Sequence, residues 1–328
     1  MKKYLLLFMV MVSVKAISQD SLMNNLVKDM NTPGPSKNKP VKIFNSERNI
    51  LTNTTETVGK GKMDFRVTHY FDDMAGANGG FKNFFGMDNS TDIRIGFHFG
   101  ITDRLDISIA RAKGGSPRTE LRMTQLYEIS MKYQLLRQLE NDPSHPIALS
   151  FFFSNIISGM DTAKTPTYNF QDLGDRMSQT FQLIIAKKIG KVSLQLNPTF
   201  LTQGYLQPND LQKSMFALGG AVRVPVTKGF NVIVDYFHPF RTEESENSFN
   251  NASNFNPPIK FFDPLGIGFE FITPGHVFHL NFHNSTEIQE NRFIPYTVKS
   301  WGEGEFRWGF NISRKFVLWR EKPTPTVY

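Results

Sequence analysis

The chain has no cysteine, which excludes disulfides, thiolate catalysis, thiolate-ligated metals and a lipid anchor on an N-terminal cysteine. It also lacks any uninterrupted apolar run near the roughly 18–20 residues that a membrane-spanning helix requires. Neither sign of charge dominates, with 37 Lys and Arg against 30 Asp and Glu over 328 residues. The first apolar stretch, Tyr4–Val14, follows Lys2 and Lys3 and ends at Lys15. With Ala16 and Ser18 placing small residues ahead of a cut before Gln19, residues 1–18 read as a cleavable export signal. Its removal takes away Lys2, Lys3 and Lys15 and no acid, so the formal charge falls from +7 to +4. That excess is too small to suggest a nucleic-acid partner. An exported chain that resides in a membrane without helices must cross it as strands.

What the chain does have is aromatic residues: 31 Phe, 9 Tyr and 3 Trp. These favour strands and also form the interfacial belts of lipid-embedded barrels. Residues 19–59 are polar and broken by Pro33-Gly34-Pro35 and Pro40. This segment is expected on the internal side, as a periplasmic stretch or as a plug entering a lumen, with a short helix over residues 20–30. From residue 60 the period becomes two, the mark of a strand with two unlike faces. Met63, Phe65, Val67, His69 and Phe71 alternate with Asp64, Arg66, Thr68 and Tyr70, and Ile93, Ile95, Phe97 and Phe99 with Arg94, Gly96 and His98. A long strand near Leu121 sets Met123, Tyr127, Ile129 and Met131 against Arg122, Thr124, Glu128 and Lys132. The last sets Phe306, Trp308, Phe310 and Ile312 against Glu305, Arg307 and Asn311.

Across the chain this pattern predicts an all-β antiparallel transmembrane barrel over residues 60–319. Twelve strands are expected, with ten or fourteen as alternatives, followed by a polar tail over residues 320–328. Short connections near residues 100–104, 188–191, 225–229 and 273–275, with a slightly longer one at 137–146, alternate with longer ones near 72–91, 112–118, 154–177, 201–213, 238–258 and 284–300. Barrels with short periplasmic turns and long external loops sort their connections this way, whereas a soluble β-sandwich, the alternative, has no reason to. The expected location is a Gram-negative-type outer membrane.

Candidate chemistry is sparse. His276, His279 and His283 would lie on a strand, where His279 and His283 share a face about 13 Å apart. That separation argues for two lumen-facing side chains and against a metal site. A serine-hydrolase barrel needs a Ser and a His that meet, with a third group orienting the His, and the sequence is read as offering none. Asp72-Asp73 and Glu243-Glu244 fall in expected external loops, where solvated charge is the ordinary reading. No enzyme, cofactor or metal is expected. The inward face would carry Arg66, Arg94, Arg122, Lys132 and Arg307 against Asp64, Asp106, Glu128, Asp235, Glu270, Glu303 and Glu305. Mixed signs argue against a strongly ion-selective pore, because selective pores present rings of one charge. They suit a narrow or plugged lumen.

The chain resembles a family of uncharacterised outer-membrane β-barrel proteins, a domain of unknown function. The residues that carry the likeness are Phe44-Asn45-Ser46-Glu47-Arg48, Phe65 to Phe71, Phe84-Phe85-Gly86-Met87-Asp88, Ile93-Arg94-Ile95-Gly96 and Gly100 to Leu105. It extends from about residue 44 to Trp319. The resemblance implies an outer-membrane barrel and no particular activity, ligand or catalytic residue. Trp308 to Ile312 looks like the aromatic closing strand recognised by barrel-insertion machinery. Two functions are therefore expected as alternatives: a conduit for small solutes, and a docking barrel whose external loops bind a surface partner. The other expected partner is outer-membrane lipid.

Overall fold

The computed structural model describes residues 39–115, 121, 123–161, 170, 172–206 and 209–319. The expected signal over 1–18, residues 19–38, Arg122 and the polar tail over 320–328 lie outside the described residues. Among the described residues twelve strands form one sheet: β1 Lys62–Asp73, β2 Ser90–Gly100, β3 Leu105–Ala112, β4 Leu126–Leu136, β5 Ala148–Ser158, β6 Met177–Ile189, β7 Val192–Gln203, β8 Ser214–Pro225, β9 Phe230–Phe240, β10 Leu265–Ile272, β11 His276–His283 and β12 Arg307–Val317. Each pairs antiparallel with the next, and β12 pairs with β1 through Met63↔Phe316 to His69↔Phe310, so the sheet closes. A two-sheet sandwich is thereby ruled out. Two short helices lie in external loops, α1 Glu243–Asn250 and α2 Glu290–Tyr296.

Alternation sets the two faces. Along β1, Asp64, Arg66, Thr68 and Tyr70 are buried inside, while Phe65 and Val67 lie outside. Large apolar side chains stand open on the outer surface, with Ile129 57 %, Leu196 53 % and Phe216 64 % exposed. In water such a surface would drive aggregation; in a bilayer it is the solvated face. Phe153, Phe181, Phe200 and Phe216 are successive cross-strand partners over β5–β8, with neighbouring ring centroids 5.0, 6.3 and 5.0 Å apart. They form part of an outward aromatic belt.

Two expected strand edges are corrected. β4 begins at Leu126, because Gln125 takes a left-handed conformation (φ 57°) that interrupts the extended chain. Met123, expected on the lipid face, is instead buried under the external loops, as is Leu121 before it. β12 begins at Arg307, after a turn at Trp301–Gly304 whose Gly304 has φ 74°. Glu303 is therefore exposed on that turn and Glu305 pairs with Lys299 in the loop (2.6 Å), not with the lumen wall.

The external end is roofed by the β9–β10 loop. Thr242 caps α1 by accepting from the Ser245 N–H (3.3 Å). Phe249 and Phe255 stack at 4.9 Å, and Leu121, Ile259 and Tyr296 complete an apolar lid. Placing an arginine at the lipid-facing midpoint, Ile129→Arg, is expected to cost about 2–4 kcal/mol. Urea unfolding in lipid vesicles measures this, and an equal cost for Ile189→Arg, exposed at the periplasmic end of the lipid face where an arginine costs about 0–1 kcal/mol, would contradict the assigned depth.

Candidate functional site

A barrel of twelve strands leaves an interior wider than its own inward side chains fill. Two segments occupy that interior from opposite ends. Residues 43–58 enter from the periplasmic side and turn back as a tight hairpin, in which the Thr54 N–H donates to the Glu47 carbonyl (2.9 Å) and the Asn49 N–H to the Thr52 carbonyl (2.9 Å). From the outside, the β11–β12 loop folds inward and buries every residue of α2.

The hairpin tip is held by one carboxylate. Asp235 Oδ2 accepts from the backbone N–H groups of Ile50, Leu51 and Thr52 at 2.9, 2.7 and 2.8 Å and from the Thr52 hydroxyl at 2.9 Å, while Oδ1 accepts from the Asn49 amide. Successive N–H groups converging on an anion form a backbone nest, here turned onto a wall side chain. The neighbours of Asp235 across the sheet are Ala221 and Gly266, and small residues there leave room for the tip. A Cβ on Gly266 would stand 3.0 Å from Ile50.

The two intruding segments meet at Arg48. Its Nη2 donates to Glu290 (2.9 Å) and to the carbonyls of Ile288 (2.9 Å) and Leu51 (3.1 Å). Around this contact Ile50, Leu51, Ile288, Phe293 and Ile294 pack with Tyr70, Leu201, Met215, Ile233 and Phe237 of the wall into an apolar kernel. Each such side chain removed from water contributes about 1.5–3 kcal/mol. Outside the kernel, wall side chains donate to carbonyls of the hairpin segment. Arg66 donates to Arg48 (2.9 Å), Lys132 to Glu47 (3.2 Å), Gln134 to Thr55 (3.0 Å), Gln195 to Asn53 (2.7 Å) and Asn311 to Asn49 (3.1 Å).

The sequence-derived inward residues sort as follows. Arg66, Arg94, Glu128, Lys132, Glu270, His279, His283 and Arg307 are buried on the inward face. Arg94 donates through Nε and Nη2 to Glu128 (3.0 and 2.9 Å), and Gln289 beside α2 donates to the same oxygen (3.0 Å). Glu270 gathers Arg223 (3.0 Å), Asn45 of the intruding segment (2.8 Å) and His279 (3.3 Å). Arg307 is the cross-strand partner of Asp73. Asp73 is itself buried and accepts from the Gly76 N–H at 2.9 Å, whereas solvated charge was expected there. Arg122 lies outside the described residues, and Glu305 stands away from the wall. Arg223, Asn231 and the whole apolar kernel were missed by a reading that collected charges from the cleanest alternations.

The sequence reading also passed over a His-x-Ser pair, His283-Asn284-Ser285. Here His283 Nδ1 bonds the backbone carbonyl of Ser285 (2.9 Å), and the Ser285 hydroxyl lies 3.3 Å from Thr297 Oγ1. The hydroxyl is not held against the imidazole, so the pair does not form a nucleophile–base arrangement. Among the described residues no three His, Asp or Glu side chains gather to hold a metal ion.

Burial raises two carboxyls on the intruding segments, yet the charges around them leave one below and one above its ordinary range. Burial pushes the Glu47 carboxyl up, but Lys315 (2.8 Å), Lys132 and Arg66 together outweigh it and hold the group below the usual carboxylate range. Glu287, between α2 and the wall, is pushed up to about 7 by burial; Arg292 offsets this in part and Asp92 adds to it.

The sequence profile of the family described as membrane-bound β-barrel domain (DUF5777) matches residues 44–316. The chain belongs to this family. The match begins at Phe44, so it takes in the hairpin tip inside the lumen, β1 to β11 and all but the last residue of β12. This membrane-bound barrel resides in the outer membrane, the setting that its closed sheet, lipid-facing band and sorted loops require. No curated protein sequence matches the chain. Among solved structures, an outer-membrane channel from Pseudomonas putida F1 is 12% identical, with 80% of this chain and 98% of that one covered and a TM-score of 0.48. The porin NanC is 9% identical, with 77% and 98% covered and a TM-score of 0.43. Outer-membrane phospholipase A of Escherichia coli, as an active-site mutant, is 8% identical, with 90% and 98% covered and a TM-score of 0.39. At such likeness neither pore nor catalysis passes from these proteins to this chain.

Glu287 gives this site a pH dependence. In an undocked loop its carboxyl would titrate near 4.5, and in the docked loop near 7. The docked state thus binds the proton more tightly, so the contribution to docking is complete below about pH 4.5 and is lost as pH rises through about 7. The Gly115 N–H and Arg292 Nε both donate to the same oxygen, Oε1, at 3.1 Å, and a glutamine amide oxygen can accept both. Glu287→Gln is expected to keep the loop docked and to flatten its pH dependence across that window. Hydrogen exchange of residues 284–300 at several pH values measures this; an unchanged pH slope in the variant would count against the assignment.

Proposed function

We propose that this protein is a conduit for small solutes across the outer membrane, held closed by its own residues 43–58. The observation that carries this reading is the hairpin seated on Asp235 inside a wall of polar side chains. Arg66, Lys132, Gln134, Ser150, Ser193, Gln195, Asn197 and Asn311 of the wall donate to backbone carbonyls of the segment, bonds that water can replace if the segment leaves. An inner face of Arg, Lys, Gln, Asn and Ser is compatible with a hydrated lumen, whereas a barrel built only as a rigid post can be filled with apolar side chains. The remaining partners fit the same reading: lipid around the belt, and insertion machinery engaging β12 during assembly.

A docking role is the second reading. It is favoured by the β1–β2 loop, where Phe81 is 83 % exposed beside Phe84 and Phe85. The β9–β10 loop supports it less, because Phe249 and Phe255 are spent on the barrel's own lid.

Single-channel recording in planar bilayers distinguishes the readings. The unaltered protein is expected to be silent or to flicker. Asp235→Ala removes the acceptor of three backbone N–H groups, each costing about 1–3 kcal/mol if left buried and unpaired, and is expected to give long-lived open steps. Steady ohmic conductance of the unaltered protein would refute the closed conduit. So would silence of Asp235→Ala once protease sensitivity of residues 43–58 shows that the segment has left.

A further inference from the structure

We propose that the periplasmic rim of the barrel, between the β2–β3 turn and the β4–β5 connection, binds the headgroup of an anionic phospholipid of the inner leaflet. A groove of about 310 Å³ opens there, lined by Leu135, Leu136 and Leu139 together with Arg104, Arg137 and His145. None of its lining residues is acidic.

A bulge builds the apolar half. The β4–β5 register skips between Gln134 and Leu136. Gln134 stays inside, bonded to Thr55, while Leu135 and Leu136 both stand exposed on the outer surface. A regular strand would have sent one of the two inward; the extra residue re-aims it. The lipid-facing surface continues to the ends of the strands on this side, where Ile101, Ile189, Val226 and Trp319 are also exposed. The boundary between acyl chains and headgroups therefore lies at the level of these short turns. That level is where the charged half of the groove stands.

Arg137 follows the two leucines directly. Its Nε donates to Gln134 Oε1 and its Nη2 to the Asp103 carbonyl, which fixes the guanidinium while leaving other donors of its five for a ligand. Arg104, from the neighbouring turn, is exposed, and its guanidinium makes a long contact of 3.5 Å with the Leu135 carbonyl. Two acids flank the groove without lining it, and each has partners of its own. Asp103 accepts from the Lys60 N–H (3.1 Å), and Asp142 from His145 Nδ1 (2.8 Å) and the Ser144 N–H (2.9 Å). Two guanidiniums above three leucines match a phosphodiester above its glycerol and first methylenes. Pro40 closes the groove on the lumen side, where the Val41 N–H donates to the Gln138 carbonyl (2.8 Å) and the Glu140 N–H to the Lys39 carbonyl (2.9 Å). A lipid bound here touches the root of the lumen segment, yet its binding does not depend on whether the lumen conducts.

The test is native mass spectrometry of the full mature protein in a non-ionic detergent, titrated with dioleoylphosphatidylglycerol, with dioleoylphosphatidylcholine, and with phosphatidylglycerol in the presence of inorganic phosphate. Arg104→Gln is the variant, since its side chain carries no part of the fold; faster migration without boiling confirms that the variant barrel is closed. Retention of phosphatidylglycerol over phosphatidylcholine is expected, weakened about tenfold in Arg104→Gln by loss of a charge-assisted phosphate contact. Equal retention of the two lipids, or no change in the variant, would overturn the site. Displacement of the lipid by equimolar inorganic phosphate would show an ion site and overturn it as well.

Discussion

Hydrocarbon offers no partner for a backbone N–H or C=O, and nearly every feature of this protein descends from that. A sheet within lipid must bond each strand on both edges, so β12 has to return to β1. Closure fixes the circumference, and the circumference fixes an interior volume that the wall's own side chains do not fill. Alternation then gives each strand one face for lipid and one for whatever occupies that volume. The outer face is simple because its solvent is uniform. The inner face is complex because its occupants are segments of the same chain.

Those occupants satisfy the wall in two ways. Near the periplasmic end and along the sides, side chains of the wall bond the carbonyls of residues 43–58, much as water would. At the centre, Ile50 and Leu51 meet Ile288, Phe293 and Ile294 in an apolar kernel that water would not replace. Asp235 links the two regimes, because it anchors the hairpin whose tip carries the kernel's Ile50 and Leu51. Arg48 and Glu290 join the segment entering from one end to the loop entering from the other. Displacing either intruder exposes part of the other, so the closed state is held jointly.

How much of this could be read beforehand varied from strand to strand, for a physical reason. β1 alternates cleanly because its inner face meets polar groups for most of its length. β9 does not, since Ile233 and Phe237 point inward at the kernel while Val232 and Val234 point outward at lipid. Apolar residues on both faces erase the period on which strand reading relies. Met123 misled for a related reason: its spacing matched the outer face of β4, but Gln125 turns the chain before the strand begins. Glu305 fell in phase with β12 although the turn ending at Gly304 keeps it off the wall.

The sequence by itself determined the class, a count near twelve strands, the lipid face of the cleanly alternating ones and which end carries the long loops. All of these follow from local alternation and from turn composition, which act over a few residues. Only the tertiary structure decided that Asp235 binds a hairpin from far along the chain, that Arg48 meets Glu290, and that apolar groups fill the centre of a polar-walled barrel. Those contacts join residues about two hundred positions apart. They exist because closure brings distant strands around one lumen, and no local pattern records which segment will fill it.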